Sequence, residues 1–228
     1  MAEPANRQAI LERMRRSLGV DADDATRRKA VTERIAAHQP NLIPARAQVS
    51  HKDQVALFRA QAEAVHATIA SVRTDKDIPE AVADYLRNHN LPQKIRHGED
   101  ALLNGLPWSA KASTLELGKG PAEPADEVSL SRATAGIAET GTLVLTSGAD
   151  NPTTLNFLPE NHIVVIRAKD ITGTYEDVWQ MLRKQHGERT LPRTVNMISG
   201  PSRTADIEQR IELGAHGPRR LHIVIIGK

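Results

Sequence analysis

Four short segments of this 228-residue chain carry side chains that can do chemistry. Gly136-Ile137-Ala138-Glu139-Thr140-Gly141-Thr142 holds one carboxylate between glycines. Those glycines permit backbone conformations or close approaches that a Cβ would forbid. Glu139 is the candidate general base or polar anchor of this loop, with Gly136, Thr140 and Gly141 beside it as ligand-binding candidates. A lone Glu in a loop is more often a hydrogen-bonding residue of the turn. His162 stands directly before an apolar run and reads as a base, a metal ligand or a satisfied strand-end residue. No second ligand lies at metal spacing, so the last reading is the plainest and no metal site is expected. Asn151, Asn156 and Glu160 precede it and are placed to line the same edge. Gly200-Pro201-Ser202-Arg203-Thr204 turns the chain after a strand and reads as the start of a helix capped by Ser202. A helix N-terminus offers free N–H groups and a positive dipole end to an anion, and Arg203 adds a bidentate grip on a carboxylate or phosphate. Against this, Ser202 and Thr204 also read as helix caps alone, while Asp206 and Glu208 complement the dipole and weaken an anion site. His216 and Arg219 precede the last apolar run and complete the set of anion-contact candidates.

Positioning these groups requires buried strands. Three strands are expected at 142–146, 162–167 and 221–226, each a short, mainly apolar run after a polar loop. Strands buried on both faces read this way, so the three are expected as neighbours in one mostly parallel sheet. Further strands are expected at 68–72, 93–97, 111–117, 128–131 and 195–199, and helices at 77–88, 174–185 and 203–213. Asp77 reads as the cap of the first of these, with Pro79 in its first turn. Strands alternating with helices argue for a doubly wound α/β domain, in which ligands gather at the carboxyl ends of the strands. Residues 187–192 read as a turn.

Before that domain the pattern is helical. Residues 5–18 carry Ala9, Ile10, Met14 and Leu18 on one side, with Gly19 as a stop. Asp23 or Asp24 caps a second helix to about His38, ended by Pro40. Ser50-His51-Lys52-Asp53 resembles a capping box for a third, carrying Val55, Phe58, Ala62, Val65 and Ile69. The division expected is a helical extension over 1–69 and an α/β domain over 70–228.

Composition excludes more than it selects. With no cysteine there is no disulfide, thiolate nucleophile or Cys-ligated zinc, and iron–sulfur clusters, normally held by cysteine, belong on another chain. No apolar run reaches the roughly 18 residues of a membrane span. The N-terminus lacks a signal-peptide core, and a cytoplasmic location follows. Residues 1–73 hold twelve Lys and Arg against eight Asp and Glu. That excess is better read as a solvated helical surface than as a nucleic-acid site, for no aromatics interleave it. The GxGxxG, Walker A, HExxH and GxSxG signatures are missing.

Taken together, the segments 136–142, 156–163, 200–208 and 213–219 resemble the lactate-utilisation protein C family, the LUD domain, over roughly residues 70–228. The resemblance implies a Rossmann-like α/β fold of the sugar-phosphate isomerase and CoA-transferase group. It implies a non-redox subunit that works with two iron–sulfur subunits in oxidising L-lactate to pyruvate, either binding the small acid or organising the complex, with no cofactor of its own. A stand-alone enzyme acting on a small anionic metabolite, with Glu139 or His162 as acid/base, is the alternative. A regulatory or nucleic-acid-binding module using the basic helices is a third reading.

Overall fold

The structure, a computed structural model, describes residues 3–21, 23–187, 190–204 and 212–227. The chain divides into two compact units, Met1–Leu42 and Ile43–Lys228. The first holds α1 (Glu3–Leu18) and α2 (Ala25–Ala37). Asp24 caps α2 by accepting from the Arg27 amide at 2.9 Å. None of the residues whose burial is described between 6 and 42 is buried.

The second unit runs α3 (His51–Ala64), β1 (Thr68–Val72), α4 (Ile78–Asn88), β2 (Lys94–His97), α5 (Ala101–Asn104), α6 (Trp108–Lys111), β3 (Glu116–Lys119), β4 (Val128–Arg132), β5 (Ala135–Ile137) and β6 (Thr142–Thr146). It continues through α7 (Thr154–Phe157), β7 (Asn161–Arg167), β8 (Ile171–Thr172), α8 (Tyr175–His186), β9 (Val195–Ile198), β10 (Arg203–Thr204), β11 (Glu212–Leu213) and β12 (Arg220–Ile226). The third helix, assigned by its sequence pattern to the extension, buries Phe58 and Ala62 in the core of this unit. Ser50 caps it, accepting from the Asp53 amide at 3.3 Å. Asp77 does not cap α4 with its side chain; its carboxylate turns back to accept from the Thr74 amide at 3.0 Å.

Six strands form a wholly parallel sheet in the order β1-β12-β7-β4-β2-β3. Alternate side chains serve opposite faces, which explains the unbroken apolar runs. Ile163 and Val165 of β7, with Val224 and Ile226 of β12, pack on α4 through Ile78, Val82 and Leu86. Val164 and Ile166, with Ile223 and Ile225, pack on the other face with Phe58 and Ala62 of α3. The chain is thus an α/β protein with a parallel sheet flanked by helices.

The strand at 142–146 corrects the sequence expectation. It joins a second, four-stranded sheet, β8-β5-β6-β9, and is antiparallel to both β5 and β9. Leu143 and Leu145 face the core behind the main sheet, while Val144 faces α8 through Val178 and Leu182. Being buried on both sides, it has the same pattern as a central parallel strand.

The helix expected over 203–213 is also corrected at both ends. Arg203–Thr204 and Glu212–Leu213 pair as a short antiparallel ribbon; residues 205–211, with Asp206 and Glu208, lie outside the described residues, as do 188 and 189 of the expected 187–192 turn.

Candidate functional site

Register brings His162 and Leu221 side by side, each the second residue of its strand, at the amino ends of β7 and β12. Both point to the face covered by α3 and the second sheet, because Val164 and Ile223 two residues on do so. There they line a cavity of about 250 Å³ with Asn156 and Phe157 of α7, Met197 and Ile198 of β9, and the loops 200–203 and 216–218. The cavity therefore sits at the amino edge of the main sheet, not at the carboxyl edge expected of an open α/β fold. The carboxyl ends of β1, β12 and β7 bound a separate crevice of about 390 Å³, where Arg167 pairs with Asp75 at 2.7 Å.

Two of the cavity residues carry buried polar atoms without a partner among the described residues. His162 is 1% exposed; its Nε2 shares a hydrogen bond with the Ser131 hydroxyl at 3.1 Å and its Nδ1 has no partner. Burial pushes the ring pKa down to about 3, so the imidazole is neutral at neutral pH. Asn156 is also 1% exposed, and both Oδ1 and Nδ2 lack partners. An unmet buried hydrogen-bonding group costs about 1–3 kcal/mol; these atoms have almost no accessible surface and lie behind the cavity wall.

The loops opposite are braced to each other. The Ser202 amide donates to Pro218 O at 2.8 Å, the Gly214 amide to Ser202 O at 3.0 Å, and the His216 amide to Ser202 Oγ at 3.3 Å. Arg203 is exposed at the rim, one Nη donating to Val65 O at 3.0 Å. Gly200 lies at φ +79°, where a Cβ would drive into Val65 O. These loops present no helix N-terminus, so the anion-binding helix end expected at Ser202 is absent; what remains is the Ser202 hydroxyl, the Arg203 guanidinium and exposed His216.

The structure gathers Ser202, Arg203, His162 and His216, and Asn156 with them, around one space. It leaves the 136–142 loop elsewhere. Glu139 is 6% exposed and its Oε1 accepts from the Tyr175 amide at 3.1 Å, at the start of α8. Gly136 lies on β5, and a Cβ there would press on Ile166, Ile171 and Phe58. Thr140 Oγ1 bonds Thr142 Oγ1 at 2.7 Å and Tyr175 Oη at 3.1 Å, and Thr142 reaches Ser199 Oγ at 2.5 Å. This hydroxyl chain ends one residue before Gly200 and so fixes the cavity wall from behind. Arg219 and Glu160 approach each other at 3.8 Å on the surface, and Asn151 donates to Thr146 O at 3.2 Å. Thr204 is on β10, paired with Glu212. No group of three His, Asp or Glu side chains suited to a metal ion occurs among the described residues.

Residues 122–226 match the model of the LUD domain. The chain is 33% identical over 90 residues to a lactate utilization protein C of Anoxybacillus flavithermus, covering 40% of this chain and 39% of that one. A protein of the same description from Geobacillus kaustophilus is 28% identical over 143 residues, 59% of each chain. Residues 122–226 are thus a LUD-domain segment. An uncharacterized protein of Neisseria meningitidis serogroup B is 39% identical over 101 residues, 44% of this chain and 42% of its own. The matched segments thus span about two fifths of the first and last of these relatives. A DUF162 family protein from Deinococcus radiodurans shares the fold, with a TM-score of 0.60 at 21% identity over 78% of this chain and 99% of that one.

Every lining residue of the cavity falls inside the LUD segment. Sequence reading missed Ser131, Phe157, Met197, Ile198 and Leu221 as parts of the site's surroundings. Ser131 had a signal: a serine inside a buried strand needs a hydrogen-bond partner. The apolar walls had none, being indistinguishable from core.

Proposed function

We propose that this protein is the non-redox subunit of a cytoplasmic L-lactate-utilisation system. In this reading it holds a small 2-hydroxy acid, while iron–sulfur partner subunits accept the two electrons released as L-lactate becomes pyruvate and two protons. The observation that carries it is the cavity that gathers the Arg203 guanidinium, the Ser202 hydroxyl and His216 in front of buried, neutral His162. A small carboxylate with a polar substituent matches those groups: charge for the guanidinium and hydrogen bonds for the Ser202 hydroxyl and the His216 imidazole. Relatives described as lactate utilization protein C support lactate as the acid. A chain without cysteine has no thiolates for a cluster, which supports a division of labour with partner subunits. A free-standing acid–base enzyme is the weaker reading, because a His162 ring titrating at about 3 is a poor proton acceptor at neutral pH.

The test is affinity capture of the tagged full chain from its host grown on L-lactate without oxygen. Co-purifying iron–sulfur absorbance with lactate-dependent dye reduction supports the proposal. A colourless, solitary chain that also fails to bind L-lactate in calorimetry overturns it.

A further inference from the structure

We propose that the crevice at the carboxyl edge of the main sheet is a second binding site, for a phosphate dianion, free or carried by a small metabolite. It stands apart from the cavity at the amino edge. Arg167 lies five residues beyond His162 on β7, roughly 16 Å along the strand. The inference does not depend on the acid-binding reading.

Register sets Val72 of β1, Ile226 of β12 and Arg167 of β7 in one row at that edge. The chain leaves the two strands that flank β12 in opposite directions. After β1 it passes to α4, whose Ile78 packs with Val224 and Ile226 on one face of the sheet. After β7 it passes to Ala168 and Ile171, which pack with Val164 and Ile166 on the other. The two departing segments part around the end of β12 and leave a gap of about 390 Å³. In an open α/β sheet, connections that diverge in this way form the crevice in which ligands bind.

The lining decides the class of ligand. Arg73, Arg167 and Lys169 bring three positive charges to the gap against the one negative charge of Asp75. Asp75 is committed: its Oδ2 accepts from an Arg167 Nη at 2.7 Å, which holds the guanidinium by one end and leaves its other N–H groups to a ligand. Asp77, on the same loop, accepts from the Thr74 amide and hydroxyl. The side chains of Arg73 and Lys169 are exposed and make no hydrogen bond or ion pair among the described residues. Like charges around one gap repel, and an anion between them removes the repulsion. A phosphate dianion matches the net charge of the lining, and its oxygens accept charge-assisted hydrogen bonds from two guanidinium groups and an ammonium together. A carboxylate carries half that charge. The gap also has room for the body of a small ester, beside buried Ala168 and Ile226.

Isothermal titration calorimetry of the full-length protein with inorganic phosphate and with glycerol 3-phosphate tests this, in about 0.15 M KCl, where loosely attracted ions are screened. At least one probe should bind with a Kd below about 1 mM. Tighter binding of the ester supports the site as one for a phosphorylated metabolite, and tighter binding of the inorganic ion supports it as one for free phosphate. Arg73→Gln and Lys169→Gln alter exposed side chains without partners, so both variants should fold, and each should weaken the binding about tenfold. Saturating L-lactate should leave the phosphate affinity unchanged. No binding of either probe at about 10 mM, or an affinity unchanged in the folded double variant, would overturn the site. Displacement of the phosphate by L-lactate would put it in the amino-edge cavity and overturn the proposal equally.

Discussion

The buried histidines make folding stability depend on pH, in a direction that can be worked out. His162 titrates near 6.5 when unfolded and at about 3 when folded, because burial penalises the charged ring. Between those values the unfolded chain binds the extra proton, so stability is full above about pH 6.5 and is lost progressively as pH falls toward 3. His222 adds to the same slope. Its ring stacks on Tyr85 at 3.9 Å, shares a hydrogen bond with Thr68 at 2.8 Å, and is pushed to about 4 by burial and by neighbouring His89. His97, buried at the end of β2, is shifted downward too. Urea unfolding between pH 7 and 4.5 should show His162→Gln losing up to about 1.4 kcal/mol less per pH unit than the wild type. Equal slopes would mean that the ring is not buried neutral. The sequence made His162 visible as a strand-end residue, and register put it on the cavity face. Its neutrality was not legible, since that comes from neighbours far apart in the chain, such as Ser131 and Leu221.

At the scale of elements, the 136–142 loop is explained by α8 and α3. The N-terminus of α8 is fixed twice: Thr174 and Asp177 form a capping box, and Glu139 accepts the Tyr175 amide. Glu139→Ala leaves that part-buried amide without its carboxylate partner, so we expect about 1 kcal/mol lower stability by thermal unfolding with L-lactate affinity retained. Lost affinity at unchanged stability would return Glu139 to the ligand. Gly141 sits at φ +64° where a Cβ would strike the backbone of Ala62 near the end of α3. Gly141→Ala should therefore cost about 2–4 kcal/mol, from strain at the positive φ and displacement of α3. Sequence pattern exposed both the carboxylate and the glycines, since their types are unusual next to a strand. It did not reveal that their partners are helix ends, because Tyr175 and Ala62 are distant in sequence. The same limit explains β6, whose run of buried aliphatics fits either sheet, and the 203–213 segment, where helical spacing yielded to ribbon pairing of Arg203 with Leu213.

At the scale of the molecule, the two units have unequal claims to stability. The second carries three apolar clusters, the cavity and its braced loops. The first shows Ile10, Met14 and Leu18 at four-residue spacing on α1, each more than half exposed, and no described residue of α2 is buried. Helices of 16 and 13 residues are near the length at which isolated helices are marginal in water, since most helical stability comes from packing an apolar face. Hydrogen exchange should separate the two: amides of α1 and α2 should exchange by local opening far faster than those of β7 and β12, whose opening requires unfolding of the main sheet. A protein shortened to residues 43–228 should then keep its cooperative melting transition and bind L-lactate with unchanged affinity, since no cavity residue precedes 156. Loss of binding on shortening, or slow exchange in α1 comparable to β12, would show that the first unit contributes to the stability of the second.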